Sequence, residues 1–367
     1  MNLKEKSRVL GLGNYGGKQA KEFITAYGYK GSASNGSEQD LKALGDISKF
    51  QLKGFDGFGG NRERAMECLE QNPEFLEFVS NIEEEIVFII FGGGGSTGSG
   101  CAPILAEMLL QDRNEDGTPK KIVCPVIALP SADESIKKHT NAYEAVRELH
   151  EIEGLGAAFF INNNINISKE VKEKEKDYKY LNSTFAKFLD TFLTNDTYGE
   201  LNNFDESERL EMLRDNGAMV ISLMGVKEKD ETVDQSLLLE KLTKSGIFAP
   251  TENNDICENI AIIHAGRNNS DIDKENIIAE VGKPRNVFEG YNGKNTLVAI
   301  SGLDYPVSFV SALGESAKAA HEERQRNRKH AGKLGDLSFM TEEKPKAEAP
   351  VKKKPSKWEV LQKKMKK

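Results

Sequence analysis

Glu85-Ile86-Val87-Phe88-Ile89-Ile90-Phe91 runs directly into Gly92-Gly93-Gly94-Gly95-Ser96-Thr97-Gly98-Ser99-Gly100, and then into a helix-like stretch over Ala102–Gln111. A continuous run of β-branched and aromatic residues suits a strand buried on both faces, as in the middle of a parallel sheet. Parallel strands need crossover connections, usually helices, so this segment points to an α/β plan. The six glycines and three hydroxyls that follow have high backbone entropy and little to pack. Between a strand and a helix they can form a nest of backbone N–H groups for an oligophosphate, with Ser96, Thr97 and Ser99 as further donors. The alternative reading is a flexible loop. No GKS or GKT follows, so this is not a Walker A motif.

A related turn lies near the N-terminus. Arg8–Leu12 reads as a short strand, Gly11-Leu12-Gly13-Asn14-Tyr15-Gly16 as a tight turn, and Gly17–Ala26 as a helix. By pattern this is a dinucleotide fingerprint. A dinucleotide domain also needs an acidic residue at the end of the second strand, about 20 residues on. Lys30-Gly31-Ser32-Ala33-Ser34-Asn35 offers none. A Rossmann-type oxidoreductase is therefore a distant alternative. Ile122–Leu129 and Ala157–Ile161 read as two more buried strands. Two glycine-rich loops on neighbouring strands point to a di- or triphosphate gripped from two sides.

Beyond them, from Lys169 to about Leu193, Tyr178, Leu181, Phe185, Phe188, Leu189 and Phe192 recur at helical spacing. This helix has the character of a spine between two domains. Ala218–Val226, Asn259–Gly266 and Thr296–Gly302 are apolar strands, Val233–Lys244 an amphipathic helix, and Val307–Lys329 a helix that becomes highly charged after Ala320. From Gly332 the composition is that of a disordered tail.

Several classes are excluded. No run of about 18 apolar residues is present, so no membrane-spanning helix is expected. The N-terminus lacks a signal-peptide core. Cys68, Cys101, Cys124 and Cys257 show no close-pair spacing, which fits a reducing cytoplasm. The net charge of −8 argues against a globally basic nucleic-acid coat.

These motifs, in this order, resemble the tubulin/FtsZ superfamily over roughly residues 7–330. The family's phosphate signature GGGTGSG falls on Gly94–Gly100, with Ser96 in place of the third glycine. The chain's size, charged last helix and lysine-rich end are most like the plasmid and bacteriophage branch of that family. The resemblance implies an α/β fold in which a parallel, Rossmann-like GTPase domain (1–168) is joined by a long central helix (169–200) to a smaller α+β domain (201–305). A C-terminal helix (306–335) and a basic tail (336–367) follow.

The resemblance also implies GTP or GDP with Mg2+, the metal ligands being unassigned. Nucleotide contacts are implied at Gly11, Gly13, Asn14, Gly16, Gly17 and Lys18, at Asn35, and at Gly59 and Gly60. Those last two lie in Gly57-Phe58-Gly59-Gly60-Asn61-Arg62, where the family senses the γ-phosphate. Gly94, Gly95, Ser96, Thr97, Gly98, Ser99 and Gly100 would surround the phosphates. Glu134 would hold the sugar, with Lys138 where FtsZ usually has arginine. Asn163 would read guanine, Tyr178 would stack on the base, and Asn182 would hydrogen-bond it. Plain alternatives remain: a turn or cap for Asn162–Asn164, core packing for Tyr178, and a solvated acid at Glu134.

Asn203, Asp205 and Glu208 match the family's catalytic loop, with Glu for its second Asp. The resemblance implies that they enter the nucleotide pocket of the next subunit in a head-to-tail filament and act on the attacking water. The local alternative is a capping box, with Asp205 at N-cap and Glu208 at N3. The implied function is a polymerisation-activated GTPase whose filaments partition or position plasmid or phage DNA in a bacterial cytoplasm. The contact with DNA would run through a DNA-bound adaptor protein. An FtsZ-like cell-division GTPase is the alternative.

Residues 341–367 hold ten lysines and four acids, so the net −8 divides into +6 here and −14 elsewhere. Ser356-Lys357-Trp358-Glu359 reads as a capping box, followed by an apolar stripe of Trp358, Leu361 and Met365. Trp358, the chain's single tryptophan, is expected to have no core to join and to anchor a partner, the adaptor foremost; a solubilising charged tail and an anionic membrane surface are the alternatives.

Overall fold

The computed structural model describes residues 2–54, 57–165, 171–198, 202–224, 233–252, 256–265, 272–327, 358 and 361–363. The elements follow in chain order: β1 (Ser7–Leu12), α1 (Gly13–Tyr27), β2 (Lys30–Asn35), α2 (Glu38–Lys42), β3 (Lys49–Gln51), α3 (Arg64–Glu70), α4 (Pro73–Ser80), β4 (Ile86–Gly92), α5 (Ser96–Leu109), β5 (Ile122–Leu129), α6 (Ile136–His150), β6 (Ala157–Asn162) and α7 (Val171–Thr194). The second half adds α8 (Glu206–Arg214), β7 (Gly217–Met224), α9 (Gln235–Thr243), β8 (Ile256–Ala265), α10 (Lys274–Val281), β9 (Lys283–Gly293), β10 (Thr296–Leu303) and α11 (Val307–Arg326).

The strands form one ten-stranded sheet in the order β3-β2-β1-β4-β5-β6-β7-β10-β8-β9. The first six are all parallel, in the doubly wound order. Strand β6 pairs in parallel with β7 through only Ala157↔Gly217 and Ala158↔Ala218. Strand β10 then runs antiparallel to both β7 and β8, which makes the second half mixed. The sheet therefore continues through both halves, over a narrow seam.

Burial follows the sequence pattern. The residues Ile86–Phe91 are all buried, as are all eight of β5. Phe159 of β6, Phe185 of α7 and Phe248 meet ring to ring, with centroids 5.6–6.3 Å apart. Helix α7 is thereby fastened to the sheet by aromatic edges and faces.

Four expectations change. Helix α5 begins at Ser96, so the second half of the glycine-rich stretch is its first turn rather than loop. Strand β9 escapes sequence reading because KPRNVFEGYNG is polar and carries two glycines; it pairs only with β8, at the sheet edge. The C-terminal helix ends at Arg326, short of Lys329.

Trp358 is the fourth and largest change. It is 8% exposed and Leu361 fully buried, both within the main hydrophobic core cluster. Gln362 donates to the Gln111 side chain, just beyond α5, at 3.4 Å. The tryptophan expected to be an exposed anchor is thus packed on the body of its own chain. Burying both side chains removes apolar surface from water, at about 25 cal/mol per Å². The expected capping box at Ser356 lies outside the described residues, as do Met365 and residues 341–355, whose prolines and lysines lead one to expect an extended linker.

Candidate nucleotide site

A cleft of about 480 Å³ opens at the C-terminal ends of the parallel strands, where open α/β sheets bind ligands. Its floor is built by backbone proximity. A Cβ on Gly16 would lie 2.1 Å from the Ile90 carbonyl oxygen, so only glycine lets α1 press against β4. Gly13 opens α1 at a φ of +72°, a left-handed conformation that side chains disfavour.

The helix starts are informative. Neither Leu12, the N-cap of α1, nor Gly95, the N-cap of α5, supplies a side-chain hydrogen bond to its helix. Ser37, Asp205, Asp234 and Asp273 do cap theirs, while α3, α4, α6 and α11 also start without a side-chain cap, so what sets α1 and α5 apart is that both starts line one cleft. Two helix N-termini with unclaimed N–H groups and positive dipole ends therefore meet at one cleft. That is an anion site in construction, matched to more than one phosphate.

The lining includes Gly13, Asn14, Lys18, Asn35, Gly94, Gly95, Ser96, Thr97, Gly98, Glu134, Lys138, Asn163, Tyr178 and Asn182, all expected from sequence. Gly11, Gly16, Gly17, Gly59, Gly60, Ser99 and Gly100 lie outside the lining and support it from behind. Ser99, for example, is fully buried and turns its hydroxyl back to the Gly95 carbonyl. Tyr15, Phe58 and Pro130, which fall within the loops marked by the sequence, also line the wall; sequence reasoning missed Ser37 and Asp40. Asp40 accepts from Asn35 Nδ2 at 2.9 Å, a contact between β2 and α2 that spacing does not announce.

The end opposite the phosphate loops is polar and aromatic. Asn162 and Asn164 are committed to structure: Asn164 N–H donates to Asn162 Oδ1 at 2.9 Å, and Ala132 N–H donates to Asn164 Oδ1 at 2.6 Å. Asn163 differs, since its Oδ1 is buried without a hydrogen-bond partner in the protein and the residue lines the cleft. An unpaired buried acceptor costs about 1–3 kcal/mol and is relieved by a ligand donor. Tyr178 approaches Ser131 at 3.4 Å through the two hydroxyls, and Gln19 of α1 donates to the Asn182 carbonyl at 2.9 Å, fixing α7 beside the cleft. Glu134 and Lys138 pair with each other on its rim.

Asn203, Asp205 and Glu208 do not line this cleft. They sit at the start of α8, where Asp205 and Glu208 form the capping box. Asp205 is exposed and Glu208 partly so; burial of Glu208 raises its carboxyl above the ordinary value. Arg209 holds the loop in place. Buried, it donates to the carbonyls of Phe192 at 2.8 Å and Asn195 at 2.7 Å, and its guanidinium lies 4.4 Å from the Phe204 ring. These bonds cap the end of α7 and set α8 at a fixed angle to it.

Comparison with known proteins agrees with this architecture. Residues 9–167 match the Tubulin/FtsZ family, GTPase domain. The tubulin-like protein TubZ of Clostridium botulinum C phage is 26% identical over 334 residues, 88% of this chain and 86% of the relative. The solved structure of a tail-truncated TubZ from Clostridium botulinum phage c-st superposes with a TM-score of 0.70 at 24% identity, covering 88% of this chain and all of that one. CetZ2 from Haloferax volcanii, solved as a GTPγS-bound protofilament, gives 0.67 at 20% identity over 87% of this chain and 99% of its own. Residues 9–167 are thus a GTPase domain of the tubulin/FtsZ kind, and the chain as a whole is similar to TubZ and CetZ proteins and shares their fold over most of its length.

Proposed function

We propose that the chain binds GTP in the cleft between α1 and α5, assembles head to tail, and hydrolyses GTP only where a neighbouring subunit completes the site. The observation that carries this reading is the separation of the two halves of the chemistry. The cleft has two uncapped helix N-termini, Lys18 and a polar base end, whereas Asp205 and Glu208 stand outside it on α8. A neighbour's α8 placed over the cleft brings a carboxylate to the attacking water and fixes its orientation. A contact between two different faces of one chain is heterologous and propagates as a filament.

Guanine selectivity is assigned to Asn163 and Asn182, and base stacking to Tyr178, supported by the orphan Oδ1 of Asn163. The nucleotide's phosphates and water would supply most of a Mg2+ shell, as this ion prefers. Among the described residues no group of three His, Cys, Asp or Glu side chains able to hold a metal occurs. Bound there, Mg2+ would neutralise charge on the phosphates.

The role we assign, partitioning or positioning of plasmid or phage DNA, follows from the family resemblance, with the adaptor contact on the exposed last turns of α11 around Glu322–Arg326 rather than on the packed Trp358. Among the described residues no helix is long and apolar enough to cross a membrane.

The test combines sedimentation and phosphate release across protein concentration with GTP and with ATP. GTPase rate per molecule should rise with concentration and coincide with pelleting. A rate independent of concentration, or equal use of ATP, overturns the reading.

A further inference from the structure

One face of α6 holds the third glycine-rich loop. Lys137, Asn141, Glu144 and Glu148 recur at i, i+4, i+7 and i+11, and so share a side of the helix. Lys137 Nζ donates to the Gly59 carbonyl at 3.0 Å. Asn141 Nδ2 lies 3.2 Å from the carbonyls of both Gly60 and Gly94, and thus joins two loops through one amide. Arg62 Nη1 donates to Glu144 at 2.8 Å, and its Nη2 donates to Glu148 at 2.8 Å and to the Ser99 carbonyl at 2.6 Å. Arg62 is 5% exposed and Asn141 6%.

Phe58 anchors the loop in the main core, but the glycines around it have little means of holding themselves. Gly57, Gly59 and Gly60 all have positive φ, at 78°, 56° and 77°, and none lies in a helix or strand. Ordering such residues costs about 1–2 kcal/mol each in backbone entropy. The compensating bonds come from α6 and from the first turn of α5. Tight packing adds to them, since a Cβ on Gly100 would lie 2.4 Å from the Ala65 Cβ. The front of the same loop, Gly57 and Phe58, lines the cleft. Its tie to Gly94 places it at the phosphate end, opposite Asn163 and Tyr178.

We propose that Asn141 and Lys137 are positioning residues that set the cleft's preference for a nucleoside triphosphate over a diphosphate, by fixing the Gly57–Gly60 wall where the added phosphate ends. This rests on the proposed function, that the cleft takes GTP. Neither residue touches the nucleotide. They act through the wall, and the second face of Asn141 ties that wall to the Gly94 turn that receives the phosphates. A diphosphate does not reach the wall and is indifferent to it.

The experiment measures GTPγS and GDP affinities on full-length wild type, Asn141→Ala and Lys137→Met. Asn141→Ala should lose about tenfold in GTPγS affinity, the loss of two hydrogen bonds, and only about threefold in GDP affinity, the share of the bond to Gly94. Lys137 is exposed, so Lys137→Met retains the fold and should shift the same ratio by about threefold, the lower end for one hydrogen bond. If Asn141→Ala does not fold, Lys137→Met decides. A parallel fall for both nucleotides, or an unchanged ratio, overturns the positioning role and leaves the GTP site standing. Failure of the wild type to bind either nucleotide overturns the GTP reading itself.

Discussion

Asp205 and Glu208 hold each other's backbone. Glu208 N–H donates to Asp205 Oδ1 at 3.0 Å, and Asp205 N–H donates to Glu208 Oε2 at 2.9 Å. The pair that the family resemblance marks as catalytic therefore also starts α8. An alanine scan at these positions confounds chemistry with helix stability, because losing an N-cap costs about 1 kcal/mol.

Asp205→Asn separates the two roles. Asparagine is as good an N-cap as aspartate, so thermal stability should change by less than about 0.5 kcal/mol. Its amide cannot accept a proton from water, so steady-state GTP turnover should fall at least ~100-fold. GTP binding and filament formation should persist, giving long-lived filaments by sedimentation. Turnover within about twofold of wild type would place the base elsewhere.

Glu84 gives a pH test of stability. The carboxyl is nearly buried between Arg8, whose Nε donates to it at 2.7 Å, and Lys30, whose Nζ lies 2.9 Å away. Burial raises its pKa, and the hydrogen bonds from Arg8 and Lys30 more than reverse that, to about 2. A depressed folded value contributes stability above the unfolded value of 4.5 and loses it as pH falls towards 2. Glu84→Gln should therefore be less stable than wild type at pH 7, by at most about 3 kcal/mol. The gap should narrow as pH falls from 4.5 towards 2 in urea denaturation. A gap that persists undiminished through that window assigns the loss to packing instead.

The single tryptophan reports its own position. Buried beside Leu361, Trp358 should emit at shorter wavelength than a solvated indole and resist iodide quenching. Leu361→Ala should shift the emission to the red and leave nucleotide binding unchanged. Emission like that of free indole in the wild type would contradict the packed position.

Gly16→Ala should be among the most damaging single-methyl additions in the chain. Its Cβ would stand 2.1 Å from a strand carbonyl that cannot move without breaking β4. Overpacking of this kind costs about 1–3 kcal/mol. Soluble yield and melting temperature should both fall, and GTP affinity with them. A melting temperature matching wild type would show that α1 has room to shift away.

Much of the site was legible because phosphate sites are built from backbone. Glycine-rich turns between a strand and a helix announce themselves in sequence, and Gly13, Gly94 and Thr97 line the cleft as expected. Asn163 was reachable only through the family resemblance, since three consecutive asparagines look alike in a sequence and only the fold leaves one of them unpaired. The α6 face that holds the third loop was invisible for a similar reason. Lys137, Asn141, Glu144 and Glu148 look like an ordinary solvated helix until Gly59, Gly60 and Arg62, about 80 residues earlier, are brought against them.

The sequence by itself determined the α/β plan, since Ile86–Phe91 and Ile122–Leu129 have no stable place except inside a parallel sheet with helices on both sides. It also determined where the glycine-rich turns that line the cleft form, because glycine's lack of a side chain is a local property. Tertiary structure alone decided the rest. The continuity of the sheet rests on two residue pairs between β6 and β7, and the edge position of β9 on pairing with β8 alone. Trp358 is packed because a complementary surface exists near the end of α5. An apolar stripe states only that something must cover it. Which surface does so depends on residues far away in the chain, and their meeting is fixed by the balance of buried area against chain entropy rather than by any local pattern.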